Sequence, residues 1–101
     1  MRTNILFVYG TLGSGFDNPY ARLLRTRSEF LGPATITGSI CKMGDYLGYR
    51  PEPKGEVHGE LYRLNNPEDT LRILDEYEGP DYERVLIDAG SGKAWIYQCR
   101  V

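Results

Sequence analysis

Histidine occurs once in this chain, at His58, and cysteine twice, at Cys41 and Cys99. A histidine-dependent triad or a multi-histidine metal centre would have to pass through that single imidazole, which sets both classes of site aside. The two cysteines lie far apart and form no metal-type spacing. Their expected state is two free, buried thiols in a reducing cytoplasm, with a disulfide as the lesser alternative. A strong charge of one sign is also lacking. The net charge is −2, so binding of nucleic acid through bulk electrostatics is not expected. No apolar run approaches the roughly 20 residues that span a bilayer, and a membrane is not an expected partner. The apolar run that ends at Tyr9-Gly10 is too short for a signal peptide and lacks a small-residue cleavage site. The expected location is therefore cytoplasmic.

What is present is ordinary globular composition, 41 % hydrophobic and 26 % charged over 101 residues. That supports one domain over residues 1–101 with a single core, and is too short for two. The acids are unevenly placed: Asp75, Glu76, Glu78, Asp81 and Glu83 crowd one stretch. Most of them read as a solvated helix end and loop. A calcium loop would need oxygen ligands at alternating positions, and here Tyr77 and Gly79 follow Asp75 at those positions, so no metal is expected.

Ile5-Leu6-Phe7-Val8-Tyr9 is a continuous apolar run that predicts a central strand buried on both faces. Gly10-Thr11-Leu12-Gly13-Ser14-Gly15 breaks it. Asp17-Asn18-Pro19 predicts a helix start, with a capping side chain and proline in the first turn. Phe30 to Met43 reads as extended chain with bends at Gly32-Pro33 and Gly38, and Asp45 to Gly55 as a loop. Glu56 to Leu64 alternates like a strand. A second helix opens with Asn66 as cap, Pro67, and Glu68 and Asp69 in the first turn, and ends at Gly79-Pro80. Tyr82 to Asp88 and Lys93 to Val101 form a hairpin around Ala89-Gly90-Ser91-Gly92. The expected fold is α+β in the order β-α-β-β-α-β-β.

The second helix places a carboxylate on its own apolar stripe. At about 100° per residue from Leu71, Leu74 falls at about 300°, Tyr77 at about 240° and Glu78 at about 340°. Glu76, at about 140°, points the other way. Burial disfavours the charged form of Glu78, and so does the negative end of the helix macrodipole. Both raise its pKa toward the range useful for proton transfer near neutral pH. The competing reading is a frayed helix end with Glu78 in water. The glycine-rich break after the first strand is a second candidate, because exposed backbone N–H groups there can form an anion-binding nest. It is neither a Walker loop nor a dinucleotide fingerprint, and a plain turn would look the same. Tyr82 and Arg84 share one face of the strand after Glu78, as cavity residues or as ordinary surface. His58 alternates away from Val57 and Leu61 and reads as partly exposed and structural. Trp95, Tyr97 and Cys99 line one face of the last strand and read as core.

Taken together, these segments resemble the γ-glutamyl cyclotransferase-like family, in its short γ-glutamylamine cyclotransferase-like branch. Tyr9-Gly10-Thr11-Leu12 resembles the family's Tyr-Gly-Ser/Thr-(Asn)-Leu signature, and Val57-His58-Gly59-Glu60-Leu61-Tyr62 its third strand. Leu74-Asp75-Glu76-Tyr77-Glu78-Gly79 is similar to its Leu-Asp-x-x-Glu-Gly helix end. Tyr82-Glu83-Arg84-Val85 and Ala94-Trp95-Ile96-Tyr97 resemble its last two strands. The resemblance implies a mixed sheet with partial barrel character and a cavity at its mouth. It implies Glu78 as general base and acid, substrate binding by Tyr9, Gly10, Thr11, Leu12 and Tyr82, and no metal or organic cofactor. The implied reaction releases 5-oxoproline and a free amine or amino acid from a small-molecule γ-glutamylamine-type substrate. Two positions depart from the pattern. Leu47 stands where many relatives carry proline, and Cys99 where an aromatic is frequent. Three functions are therefore weighed: a cyclotransferase, a non-catalytic carboxylate-binding domain of the same fold, and a structural domain with Glu78 in water.

Overall fold

A computed structural model describes residues 3–9, 18–43, 46–90 and 92–100. The strands are β1 (Ile5–Val8), β2 (Ser28–Thr37), β3 (Ser39–Met43), β4 (Tyr46–Arg50), β5 (Glu56–Leu64), β6 (Tyr82–Asp88) and β7 (Lys93–Cys99). The helices are α1 (Pro19–Thr26), between β1 and β2, and α2 (Pro67–Glu78), between β5 and β6. The strands form one mixed sheet in the order β2-β5-β1-β7-β4-β3, with β6 paired to β7. β7 is the hub. It runs antiparallel to β6 from Asp88↔Lys93 to Tyr82↔Cys99, and parallel to β1 at Leu6↔Trp95 and to β4 at Tyr49↔Gln98. The α+β class and the curled, half-barrel sheet agree with expectation.

The alternation of side chains explains why β1 reads as an unbroken apolar run and why Ala94 to Tyr97 of β7 are buried throughout. Leu6, Val8, Trp95 and Tyr97 join one cluster with Leu24, Leu71 and Leu74, between the sheet and the helices. Phe7, Ala94 and Ile96 face the other way and pack with Ile36, Tyr49 and Val57. Both faces of these strands are core, so neither needs a polar side. Burial of each large apolar side chain there contributes about 1.5–3 kcal/mol. α1 begins as its sequence predicts: the Asn18 side-chain oxygen accepts from the N–H groups of Tyr20 at 3.1 Å and Ala21 at 2.9 Å. Tyr20 then stacks on Tyr77 of α2 with ring centroids 4.2 Å apart.

Four details differ from the expected order. The extended stretch from Phe30 is two strands, divided at Gly38. That residue adopts φ +152°, and a Cβ there would lie 2.3 Å from Cε1 of Tyr49. Gly32-Pro33 does not end β2; it is absorbed where the register to β5 shifts between Phe30 and Gly32, the geometry of a bulge. Residues assigned to a loop supply β4, which pairs with β3 from Ser39↔Arg50 to Met43↔Tyr46. Asn66 occupies the cap position of α2 but its side chain makes no capping bond.

The cysteines depart furthest from expectation. Cys41 and Cys99 form a disulfide, with Cα atoms 7.6 Å apart, and are not two free thiols. The reason is topological. β4 lies between β3 and β7, and the residue opposite Cys41 on β4 is Gly48. Gly48 has no side chain to stand between the two sulfurs. Among the described residues no helix is long and apolar enough to cross a membrane.

Candidate active site

α2 delivers Glu78 to a cavity. Leu71 and Leu74 are buried against the sheet, as the periodicity requires, and this turns the position between them inward. Glu76 is exposed. Glu78 is the last residue of the helix, and the N–H of Gly79 closes it on the carbonyl of Asp75 at 3.1 Å. The cavity measures about 340 Å³ and is lined by Asp75, Glu78, Tyr82, Arg84, Tyr97 and Arg100, among others. Tyr82 and Arg84 come from the same face of β6, as alternation predicts, and Tyr97 from β7.

Glu78 is half-buried. Burial pushes its carboxyl up to about 7 from an ordinary 4.5, because the low-dielectric surroundings penalise the charged form. Near neutral pH such a group holds and releases a proton with similar ease. The Tyr97 and Tyr9 phenols are not acids at this pH. Burial also raises the Tyr97 hydroxyl, with the Asp75 carboxylate as the next cause. Burial likewise raises the Tyr9 hydroxyl, and the nearby charge of Glu78 adds to the rise.

The tyrosines tie the site together. The Tyr9 hydroxyl donates to the carbonyl of Tyr97 and accepts from the Tyr49 N–H at 2.6 Å. The Tyr97 hydroxyl donates to Oδ1 of Asp75 at 2.7 Å. The Tyr82 hydroxyl donates to the carbonyl of Leu47 at 2.7 Å, linking β6 to β4. Arg84 donates through Nε to Asp75 Oδ1 at 2.8 Å and through Nη2 to Oδ2 at 3.2 Å, and its guanidinium lies 4.3 Å from the Trp95 ring centroid.

The sequence-predicted residues Glu78, Tyr9 and Tyr82 are thus brought into one neighbourhood. Gly10, Thr11 and Leu12, the rest of the expected carboxylate-binding loop, lie outside the described residues. His58 is exposed and pairs with Oγ1 of Thr35 at 2.9 Å, as a structural residue would. Sequence reasoning missed Asp75, which reads as one of many solvated acids, and the second role of Tyr97, which reads as core. The signal for Asp75 was available: at about 100° per residue it falls about 40° from Leu71, on the cavity side.

A larger cavity, of about 460 Å³, is lined by Thr35, Ile36, Thr37, Tyr49, Ile87, Asp88 and Gly90. Its one carboxylate, Asp88, is exposed and accepts from the Gly90 N–H at 2.9 Å. Its buried phenol, Tyr49, is pushed above its ordinary value by burial and so is not poised for proton transfer near neutrality, and size does not decide between the two cavities. No cluster of three or more His, Cys, Asp or Glu among the described residues could hold a metal ion.

The family model described as "Gamma-glutamyl cyclotransferase, AIG2-like" matches residues 6–101. The "Gamma-glutamylcyclotransferase family protein YtfP" of Escherichia coli K12 is 37 % identical over 95 residues, covering 91 % of this chain and 79 % of its own. Its solution structure superposes with a TM-score of 0.72 at 34 % identity, over 96 % of this chain and 83 % of that one. A crystal structure of a Pyrococcus horikoshii protein superposes with a TM-score of 0.78 at 26 % identity, over 96 % and 78 % of the two chains.

Proposed function

The chain belongs to the γ-glutamyl cyclotransferase, AIG2-like family, and on that premise we propose that it converts a γ-glutamylamine-type compound into 5-oxoproline and a free amine or amino acid, with Glu78 carrying the proton. The observation that carries this reading is a half-buried carboxyl poised at about 7 in a cavity walled by Tyr82 and Tyr97.

The reaction is intramolecular. The substrate's own α-amine attacks its γ-carbonyl carbon, and a five-membered lactam closes. Positioning alone can then supply a large part of the acceleration. Ionised Glu78 takes a proton from the attacking nitrogen. The resulting carboxylic acid gives it to the leaving nitrogen as the original C–N bond breaks. One group with affinity for protons balanced near neutrality serves both steps. No nucleophilic side chain enters the scheme. Backbone N–H groups of Gly10, Thr11 and Leu12 would hold the α-carboxylate, following Tyr9 out of the central strand, and Tyr82 would line the cavity around the γ-glutamyl portion.

Incubation with a panel of γ-glutamylamines and γ-glutamyl amino acids, scored for 5-oxoproline, tests the reading. The expected result is 5-oxoproline from at least one of them, with release of the matching amine in equal amount. Tight binding of one compound without any 5-oxoproline from the panel would instead support the carboxylate-binding domain.

A further inference from the structure

Glu78 stands on the last turn of α2, where helices fray because the final carbonyls have no partners within the helix. A proton carrier at such a position needs an external anchor. One turn earlier, Asp75 accepts from the Tyr97 hydroxyl at 2.7 Å and from Arg84 at 2.8 Å and 3.2 Å. Residues three apart on a helix are neighbours, so holding Asp75 holds the turn that carries Glu78. Tyr97 is buried, and its carbonyl also accepts from Tyr9. One residue therefore connects the end of β1 to the end of α2. Arg84 is itself held against the Trp95 ring.

The cluster also has an electrostatic consequence. Asp75 and Arg84 carry opposite charges and meet in an ion pair, and both line the cavity with Glu78. The other ionisable groups facing Glu78 are Tyr9 just after β1, Tyr82 and Glu83 from β6, Tyr97 from β7 and Arg100 beyond it. Of the charged groups, Asp75 is on Glu78's own helix and Arg84 is bonded to it. Removing either partner leaves one bare charge beside the proton carrier.

We propose that Asp75, Arg84 and Tyr97 form a positioning cluster for Glu78, which locks the last turn of α2 against β6 and β7 and keeps the charges beside the carboxylate balanced. This deepens the cyclotransferase reading and rests on it for its catalytic meaning, but its test does not. The carboxyl carbon of Glu78 is followed by nuclear magnetic resonance in the full chain labelled at glutamate, with Glu78→Gln identifying the signal. Arg84→Gln leaves the Asp75 charge unopposed and moves the Glu78 titration midpoint up. Asp75→Asn leaves the Arg84 charge unopposed and moves it down. Each shift is about half to one pH unit, the size expected for one charge at neighbouring-residue distance in a partly solvated site. The double variant returns the midpoint close to the native one, and Arg84→Lys, which keeps the charge, leaves it there. Where the family reaction is measurable, Tyr97→Phe lowers kcat by about tenfold with KM changed by less than about twofold, since one hydrogen bond to a charged group is lost while the ring still packs.

Opposite shifts that cancel in the double variant are the expected result. Shifts of the same sign in the two single variants, or none, would overturn the proposal. If Asp75→Asn does not fold, the contrast between Arg84→Gln and Arg84→Lys decides the question: equal midpoints in those two would overturn it. A missing cyclotransferase activity would leave these midpoints readable, so the two readings fail separately.

Discussion

Replacing Glu78 by glutamine should stabilise the protein, and only at pH values where the native carboxyl is ionised in the unfolded chain. The unfolded carboxyl titrates near 4.5 and the folded one near 7. Between those values the folded state binds more protons than the unfolded state, so native stability falls as pH rises. Below about pH 4.5 both states are protonated and the group contributes no penalty. Above about pH 7 the whole penalty is present, about 3 kcal/mol at roughly 1.4 kcal/mol per pH unit. The substituting amide is desolvated much as the protonated carboxyl is, so it matches the native protein in acid and escapes the penalty above pH 7. The net stabilisation expected of Glu78→Gln is therefore about 3 kcal/mol at pH 8, or a rise of roughly 12–24 °C in Tm for a chain of this size. Urea unfolding of both proteins at intervals from pH 4 to pH 8 measures it. The difference should be near zero at pH 4, grow through pH 5 and 6, and level off above pH 7. A difference that is constant across this range, or that grows toward acid, would refute the burial argument.

Two further outcomes follow from packing and topology. In Gly59→Ala the new Cβ would lie 2.3 Å from the carbonyl oxygen of Val8 and 2.6 Å from Cζ of Phe7; backbone must move, and chemical denaturation should show a loss of about 1–3 kcal/mol or more, whereas native-like stability would mean that β1 and β5 are less closely apposed. Reduction of the Cys41–Cys99 bond, which closes a loop of sequence separation 58, should lower stability by about 2–4 kcal/mol; an unchanged urea midpoint with dithiothreitol would mean that the bond does not constrain the chain in solution.

The parts of the fold legible in the sequence are those with one clear periodicity. α2 carries its cap position, its opening proline and its terminal glycine, and the stripe of Leu71 and Leu74 is enough to turn Glu78 inward. Alternation likewise puts Tyr82 and Arg84 on one face. Periodicity is silent where both faces are buried. Along β7 core lies on either side, so Tyr97 is recognisable as buried but not as a wall of the cavity. β4 is hidden because its short, mixed segment runs into Pro51 within a stretch that reads as loop, and β3 is legible only as the end of one extended stretch bent at Gly38. The disulfide is hidden for a different reason. Which strands are neighbours is a long-range property, and nothing local to Cys41 or Cys99 says that only Gly48 separates them. Asp75 is obscured by its surroundings, one acid among five in a stretch where solvation is the common fate.

The central claim is that Glu78 moves the proton that lets the γ-glutamyl amine close on its own carbonyl. Its most direct test is the rate of 5-oxoproline formation by Glu78→Gln, measured beside binding of an unreactive γ-glutamyl analogue. The amide keeps the shape of the side chain but cannot accept the proton. The account predicts a rate lowered by roughly 10²-fold or more, with analogue binding retained and the fold intact. Near-native 5-oxoproline formation by a well-folded Glu78→Gln protein would contradict it.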